Sequence, residues 1–281
     1  MLKRFIYFVL AVLTLGACVM IPYYTWHSTW FGRPLSDIEL TEYLQNQDNP
    51  RRIQHALTQV AERIEERGDS SALQWYEEVI RLSQHPVLQV RVTVAWVMGQ
   101  DSMNKSFHQA LLGMLEDDAL LVRRNAALSL VAFADTTGLK ELRTMLLPYT
   151  IVAPVDGGVT YLVSDGDEVR VGNPLVRLSS EDSIHELRSP LSSSIQSLPI
   201  SHDSAVKAGM ALVTLSPDTK HVWESLRAMA LIGGTEELKL VSAILENPIF
   251  DAEIQSQAIL TREAITKRLR KEEKETAAPR I

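Results

Sequence analysis

The sequence predicts an α+β multidomain chain: stacked helical hairpins, a β domain set into them, and an apolar anchor at the N-terminus. Three observations carry this reading. Residues 5–24 contain no charged side chain. From residue 36 onward apolar residues recur every three or four positions, the period of one helix face, and a 32-residue repeat runs through them. Between residues 149 and 217 that rhythm gives way to short apolar runs broken by glycine, proline and serine, the pattern of strands and turns.

The first element spans residues 1–30. Lys3 and Arg4 precede the apolar stretch and should stay cytoplasmic, so that the rest of the chain is exported. Twenty helical residues cover ~30 Å, the hydrocarbon thickness of a bilayer. Tyr23, Tyr24, Trp26 and Trp30 follow at the far end, where headgroups favour aromatic rings. A second reading fits the same residues. Leu15-Gly16-Ala17-Cys18 resembles the lipobox of bacterial lipoproteins, which implies cleavage before Cys18 and lipidation of its thiol, although Val19-Met20-Ile21 is more apolar than usual there. Both readings place the chain at the bacterial inner membrane with its bulk in the periplasm.

Residues 31–148 are helical. Ser36 is a candidate cap, and Ile53, Leu57, Val60 and Ile64 make the first long stripe. The segment from His85-Pro86 to Val97 repeats from Asp117-Asp118 to Ser129, with Val90 on Val122, Arg91 on Arg123 and Ala95 on Ala127. A helix pair cannot bury its apolar face alone, so such units stack. The Val-Arg-x3-Ala pattern followed by a second helix resembles HEAT repeats, particularly the short bacterial kind. The same pattern returns over residues 218–270, and residues 271–281 form a disordered tail.

Residues 149–217 are an internal duplication. Pro154 pairs with Pro190 and Val159 with Ile195 at an offset of 36, while Gly172, Leu175 and Leu178 pair with Gly209, Leu212 and Leu215 at 37. Ala153-Pro154-x-x-Gly157-x-Val159 followed by Gly166-Asp167-x-Val169-x-x-Gly172-x-x-Leu175 resembles the biotinyl/lipoyl family, including the lipoyl-like domains of membrane-fusion adaptors. The resemblance implies a barrel-sandwich of two interlocked sheets. It also implies a carrier lysine on the central hairpin, but that position holds Asp182, and no lysine occurs between Lys140 and Lys207. The second half has His202-Asp203-Ser204 where the first has its Gly-Asp turn, which predicts a looser or differently shaped edge.

Composition narrows the function. Twenty-eight basic against 35 acidic residues give a net charge of −7, which offers no basic face for nucleic acid. Cys18 is the one cysteine, so the folded part has no disulfide framework, thiolate metal site or Cys nucleophile. The seven histidines form no HxH or HExxH pair, and there is no Gly-x-Ser-x-Gly or phosphate loop. No catalytic, metal or cofactor-binding residue is expected, and no cofactor. Trp75, Trp96 and Trp223 sit beside apolar stripes, where core or repeat-interface packing is the default, and one of them exposed on a concave face would be a partner contact, Trp75 and Trp96 being the candidates. Arg123 and Arg124 suit either an acidic partner or a bridge between repeats. Together these point to a non-enzymatic, membrane-anchored periplasmic scaffold or adaptor that binds proteins of an envelope complex. The alternatives are an accessory subunit or chaperone that binds a small molecule or cofactor for a partner enzyme, and a degenerate carrier-type domain that docks on an enzyme complex.

Overall fold

The computed structural model describes residues 33–66, 70–180, 183–247 and 250–277. The chain divides into two compact units, one ending at Glu78 and one beginning at Val79.

In the first unit, Ser36 starts helix α1 (Asp37–Gln45) with a capping box: its hydroxyl accepts from the Glu39 amide, and the Glu39 carboxylate accepts from the Ser36 amide. Asn49 caps α2 (Pro50–Glu65), with Pro50 at the first position, where a missing N–H costs nothing. Ile53, Leu57 and Val60 of α2 are fully buried. A 3₁₀ turn (Ser71–Trp75) follows, and α3 (Tyr76–Leu82) begins in this unit and ends in the second.

The second unit begins its helical hairpins with α4 (Leu88–Met98), α5 (Lys105–Met114), α6 (Leu120–Leu130) and α7 (Leu139–Met145), and resumes them with α8 (Thr219–Ile232), α9 (Thr235–Glu246) and α10 (Ala252–Ala277). Helices α4, α6, α8 and α10 are successive neighbours in one layer, backed by α5, α7 and α9. The 32-residue repeat is visible in the hydrogen bonds. Arg91 donates to the carbonyls of His85 and Pro86, and Arg123 donates to those of Asp117 and Asp118. The Val87 amide donates to His85 Nδ1, and the Ala119 amide to Asp117 Oδ1. Each arginine thus ties down the turn that starts its own repeat. Arg91 also joins the two repeats, with Nε 2.7 Å and Nη2 2.9 Å from the two Asp117 oxygens. Burial would raise the Asp117 carboxyl, but the Arg91 guanidinium and the Ala119 amide outweigh it and hold the group below the usual carboxylate range. Small residues allow close approach, as a Cβ on Gly138 would lie 2.9 Å from Ala127 Cα.

Eight strands interrupt the helices: β1 (Tyr149–Val152), β2 (Gly157–Tyr161), β3 (Glu168–Val169), β4 (Pro174–Ser179), β5 (Ile184–Arg188), β6 (Ser193–Ser197), β7 (Ala205–Val206) and β8 (Ala211–Leu215). They form two antiparallel sheets, ordered β1-β8-β6-β3 and β5-β4-β2-β7, so each sheet takes strands from both halves of the duplication. The turns are exchanged reciprocally. Gly166 donates to Ile195 and Asp203 to Val159, both at 2.8 Å; Gly172 donates to Ser189 and Gly209 to Ala153, both at 2.8 Å. The second-half edge is not looser. Asp203 takes φ +60° where Gly166 takes +85°, a left-handed turn that aspartate tolerates. Val159, Leu175, Leu178, Ile195, Leu212 and Leu215 fill the space between the sheets, with Leu120 of α6 packed against them.

Three expectations are corrected. The strands do not make a biotinyl/lipoyl-like barrel-sandwich: they form two small open sheets, because the ladders end at β1, β3, β5 and β7 with no pairing that closes a barrel. The membrane anchor expected over residues 1–30, with Cys18, lies outside the described residues, as does Asp182. Among the described residues no helix is long and apolar enough to cross a membrane, so the inner-membrane, periplasmic placement is set aside. Residues 271–277, expected in a disordered tail, belong instead to α10, which continues to Ala277; residues 278–281 lie outside the described residues. Arg268 anchors that helix by donating to the Ala230 and Leu231 carbonyls at the end of α8, at 2.9 and 2.8 Å.

Replacing Arg91 with Ala should leave Asp117 without its guanidinium fork, with the Ala119 amide still donating to it, and cost ~3 kcal/mol, read as a lower urea midpoint at unchanged slope. Arg91→Lys, which keeps the charge but not the fork, should recover only part of that loss.

Candidate functional site

The residues singled out from the sequence divide sharply. Trp75 is 2% exposed, with its indole N–H donating to Thr41 Oγ1 at 3.0 Å and the Arg63 guanidinium over its ring. It is a packing residue. Arg123 is occupied by the Asp117 and Asp118 carbonyls and lies 3.5 Å from Glu141. Arg124 is buried; its Nη1 contacts His221 Nδ1 at 3.1 Å, its Nε lies 3.8 Å from a Glu141 oxygen, and that Nε has no hydrogen-bond partner. Neither arginine is presented to an acidic partner. Trp96 differs: it is 40% exposed on α4.

Trp96 opens a groove of about 520 Å³ along the α4–α6–α8–α10 layer. Helix α4 and its end supply Trp96, Gly99 and Gln100, while α6 and the 3₁₀ turn after it (Val131–Phe133) supply Asn125, Leu128, Ser129, Val131 and Ala132. Glu224, Arg227, Ala228, Ala230 and Leu231 come from α8, and Gln257 comes from α10. Gly99 lets α4 close on α6 at the base, as a Cβ there would lie 2.8 Å from Ser129 Oγ. The lining is mainly apolar. Leu231, 68% exposed, adds apolar surface to the wall.

Two charged groups border the groove. Arg227 lies over the Trp223 ring, 4.7 Å from its centroid, and no carboxylate lies within 4 Å of it among the described residues. Glu224, one turn earlier, is half-buried; burial raises its carboxyl, partly offset by Lys220 and Arg227. The sequence reading took Trp223 as a core residue and passed over Arg227. The signal was present as Trp-x3-Arg, a spacing that puts both side chains on one helix face.

Where the β segment returns to the helices, His221 is packed between Arg124 and Asp218, with Nδ1 3.2 Å from the Asp218 carboxylate. Burial first, and Arg124 next, push its imidazole down to about 4 against the pull of Asp218. Elsewhere His202 accepts from the Tyr161 amide and His185 pairs with Ser183, so each has its own partner. Among the described residues no three His, Cys, Asp or Glu side chains gather to hold a metal.

No family model and no curated protein match this chain. Among solved structures the chain is similar to the complex of CpcE and CpcF of phycocyanin lyase from Nostoc sp. PCC7120, with 18% identity and a TM-score of 0.46 over 84% of this chain and 67% of that one. That structure is a lyase and a complex of two proteins. The expectation of a non-enzymatic chain is withdrawn, since the want of a short catalytic motif does not exclude catalysis.

The unfolded chain protonates His221 near pH 6.5, whereas the folded chain does so only near 4. Folding stability should therefore be full above pH 6.5 and fall as pH drops from 6.5 to 4, by on the order of 2–3 kcal/mol from this group. His221→Gln should shrink that fall. Denaturation midpoints measured from pH 7.5 to 4 for both proteins check it, and parallel curves would refute it.

Proposed function

We propose that the chain is an accessory protein that holds a small molecule in the α4–α6–α8–α10 groove and presents it to a protein partner. The observation that carries the reading is the groove, with Trp96 and Leu231 exposed on its walls. A volume of about 520 Å³ falls within the range of small-molecule sites. Aromatic and aliphatic walls with a few polar groups are what such sites use: apolar contact supplies affinity and the polar groups supply orientation. Trp96 presents a large rigid surface at little entropic cost, which makes it the expected anchor. The stacked hairpins support the protein-partner half of the reading, because repeat surfaces are extended and suit polypeptides. Membrane scaffolding is not part of the proposal.

Native mass spectrometry of the full chain, purified under mild conditions, should show a bound small molecule. Trp96→Ala should weaken its retention by about 2 kcal/mol, roughly thirtyfold. Leu231→Glu, a surface change that leaves the core intact, should abolish it. A wild-type chain that carries no added mass, even after incubation with an extract of its own cells, would sink the reading.

A further inference from the structure

We infer that the groove takes an apolar molecule ending in a single carboxylate, and that Arg227 receives that carboxylate. This deepens the ligand-site reading above and rests on it.

The inference comes from what holds Arg227 and what does not. An arginine on a protein surface of net charge −7 meets carboxylates easily, and two arginines of the same unit do so: Arg123 pairs with Glu141, and Arg143 with Glu236 and Glu237. Arg227 is held instead by the Trp223 face, and none of its N–H donors has a hydrogen-bond partner among the described residues. The ring contact, with the guanidinium carbon 4.7 Å from the Trp223 centroid, leaves the N–H groups available. A guanidinium edge matches the two oxygens of a carboxylate, with two parallel N–H···O bonds.

The charge balance sets the class further. Among the described residues Arg227 is the one cation that lines the groove, and Glu224 lies beside it. Burial moves the Glu224 carboxyl toward its neutral form, and Lys220, 3.8 Å away, is already engaged with it. A dianionic phosphate would face one cation and a carboxyl; a single carboxylate is matched by Arg227 alone. From that end the body of the ligand would run along Leu231 and Leu128 to Trp96, where apolar contact is available.

The test uses the full chain with two fluorescent probes of the same shape, 1-pyrenebutyrate and its methyl ester, titrated at pH 7.5 and read by anisotropy. The acid should bind about tenfold more tightly than the ester. Arg227→Gln should bring the acid down to the level of the ester and leave the ester unchanged, while Arg227→Lys should keep part of the preference. Trp96→Ala should weaken both probes alike. Arg227 is exposed, so these variants should fold, and circular dichroism verifies that. Equal binding of acid and ester, or a preference that survives Arg227→Gln, would overturn the carboxylate assignment while leaving the groove a ligand site. Binding of neither probe by the wild type would overturn both.

Discussion

In both helical repeats an arginine donates back to the two carbonyls that open its own unit, and the first of the two arginines also grips the opening aspartate of the next. A turn between helices leaves carbonyls without partners, and a guanidinium offers five donors in a fixed plane. Once Arg91 holds Asp117 at both oxygens, α4 and α6 have little freedom to slide. The contacts between small residues, Gly99 against Ser129 and Gly138 against Ala127, can then be close. The clamps sit toward the N-terminal ends of α4 and α6. The groove opens toward their C-terminal ends, where Trp96, Leu128 and Ser129 lie. Its walls are therefore set by the same hydrogen bonds that fix the register of the stack.

The β segment enters this stack without breaking it. Its chain leaves after α7 and returns at α8, where Ser225 Oγ donates to the Leu142 carbonyl at 2.7 Å; Glu237 of α9 meets Arg143 at 2.5 Å. Helices α7 and α8 pack as neighbours although the strands separate them in sequence. The reciprocal turns of the two halves explain how a short segment holds itself together: each half supplies the donors that the other needs. Leu120 then seats it on α6.

Arg124 and His221 lie at this junction, and their cost is plain. A buried guanidinium with one nitrogen unpartnered and an imidazole kept neutral beside it are expensive arrangements. They can persist only because α6, α7 and α8 hold them in place. Arg227, on the opposite part of the same α8 helix, is the reverse case, since it is exposed, oriented by an aromatic face and uncommitted.

The local periods were legible in the sequence: helical stripes, the 32-residue repeat with Arg91 over Arg123, the caps at Ser36 and the duplicated glycines at 172 and 209. These depend on contacts within a few residues, or on copies of one unit, so a single chain reveals them. The turn at Asp203 was expected to be looser because its residue type differs from Gly166, although both take the left-handed backbone region. The sequence could not show whether the two sheets close, which of Trp75, Trp96 and Trp223 meets solvent, or which arginines are already occupied. Those are decided by neighbours tens of residues away: Thr41 takes the Trp75 N–H, Glu141 and the turn carbonyls take Arg123, and the stack of four helices leaves Trp96 and Arg227 at an open groove. Burial and pairing are properties of the packed chain, so only the tertiary structure could separate an arginine that holds the fold from one free to hold something else.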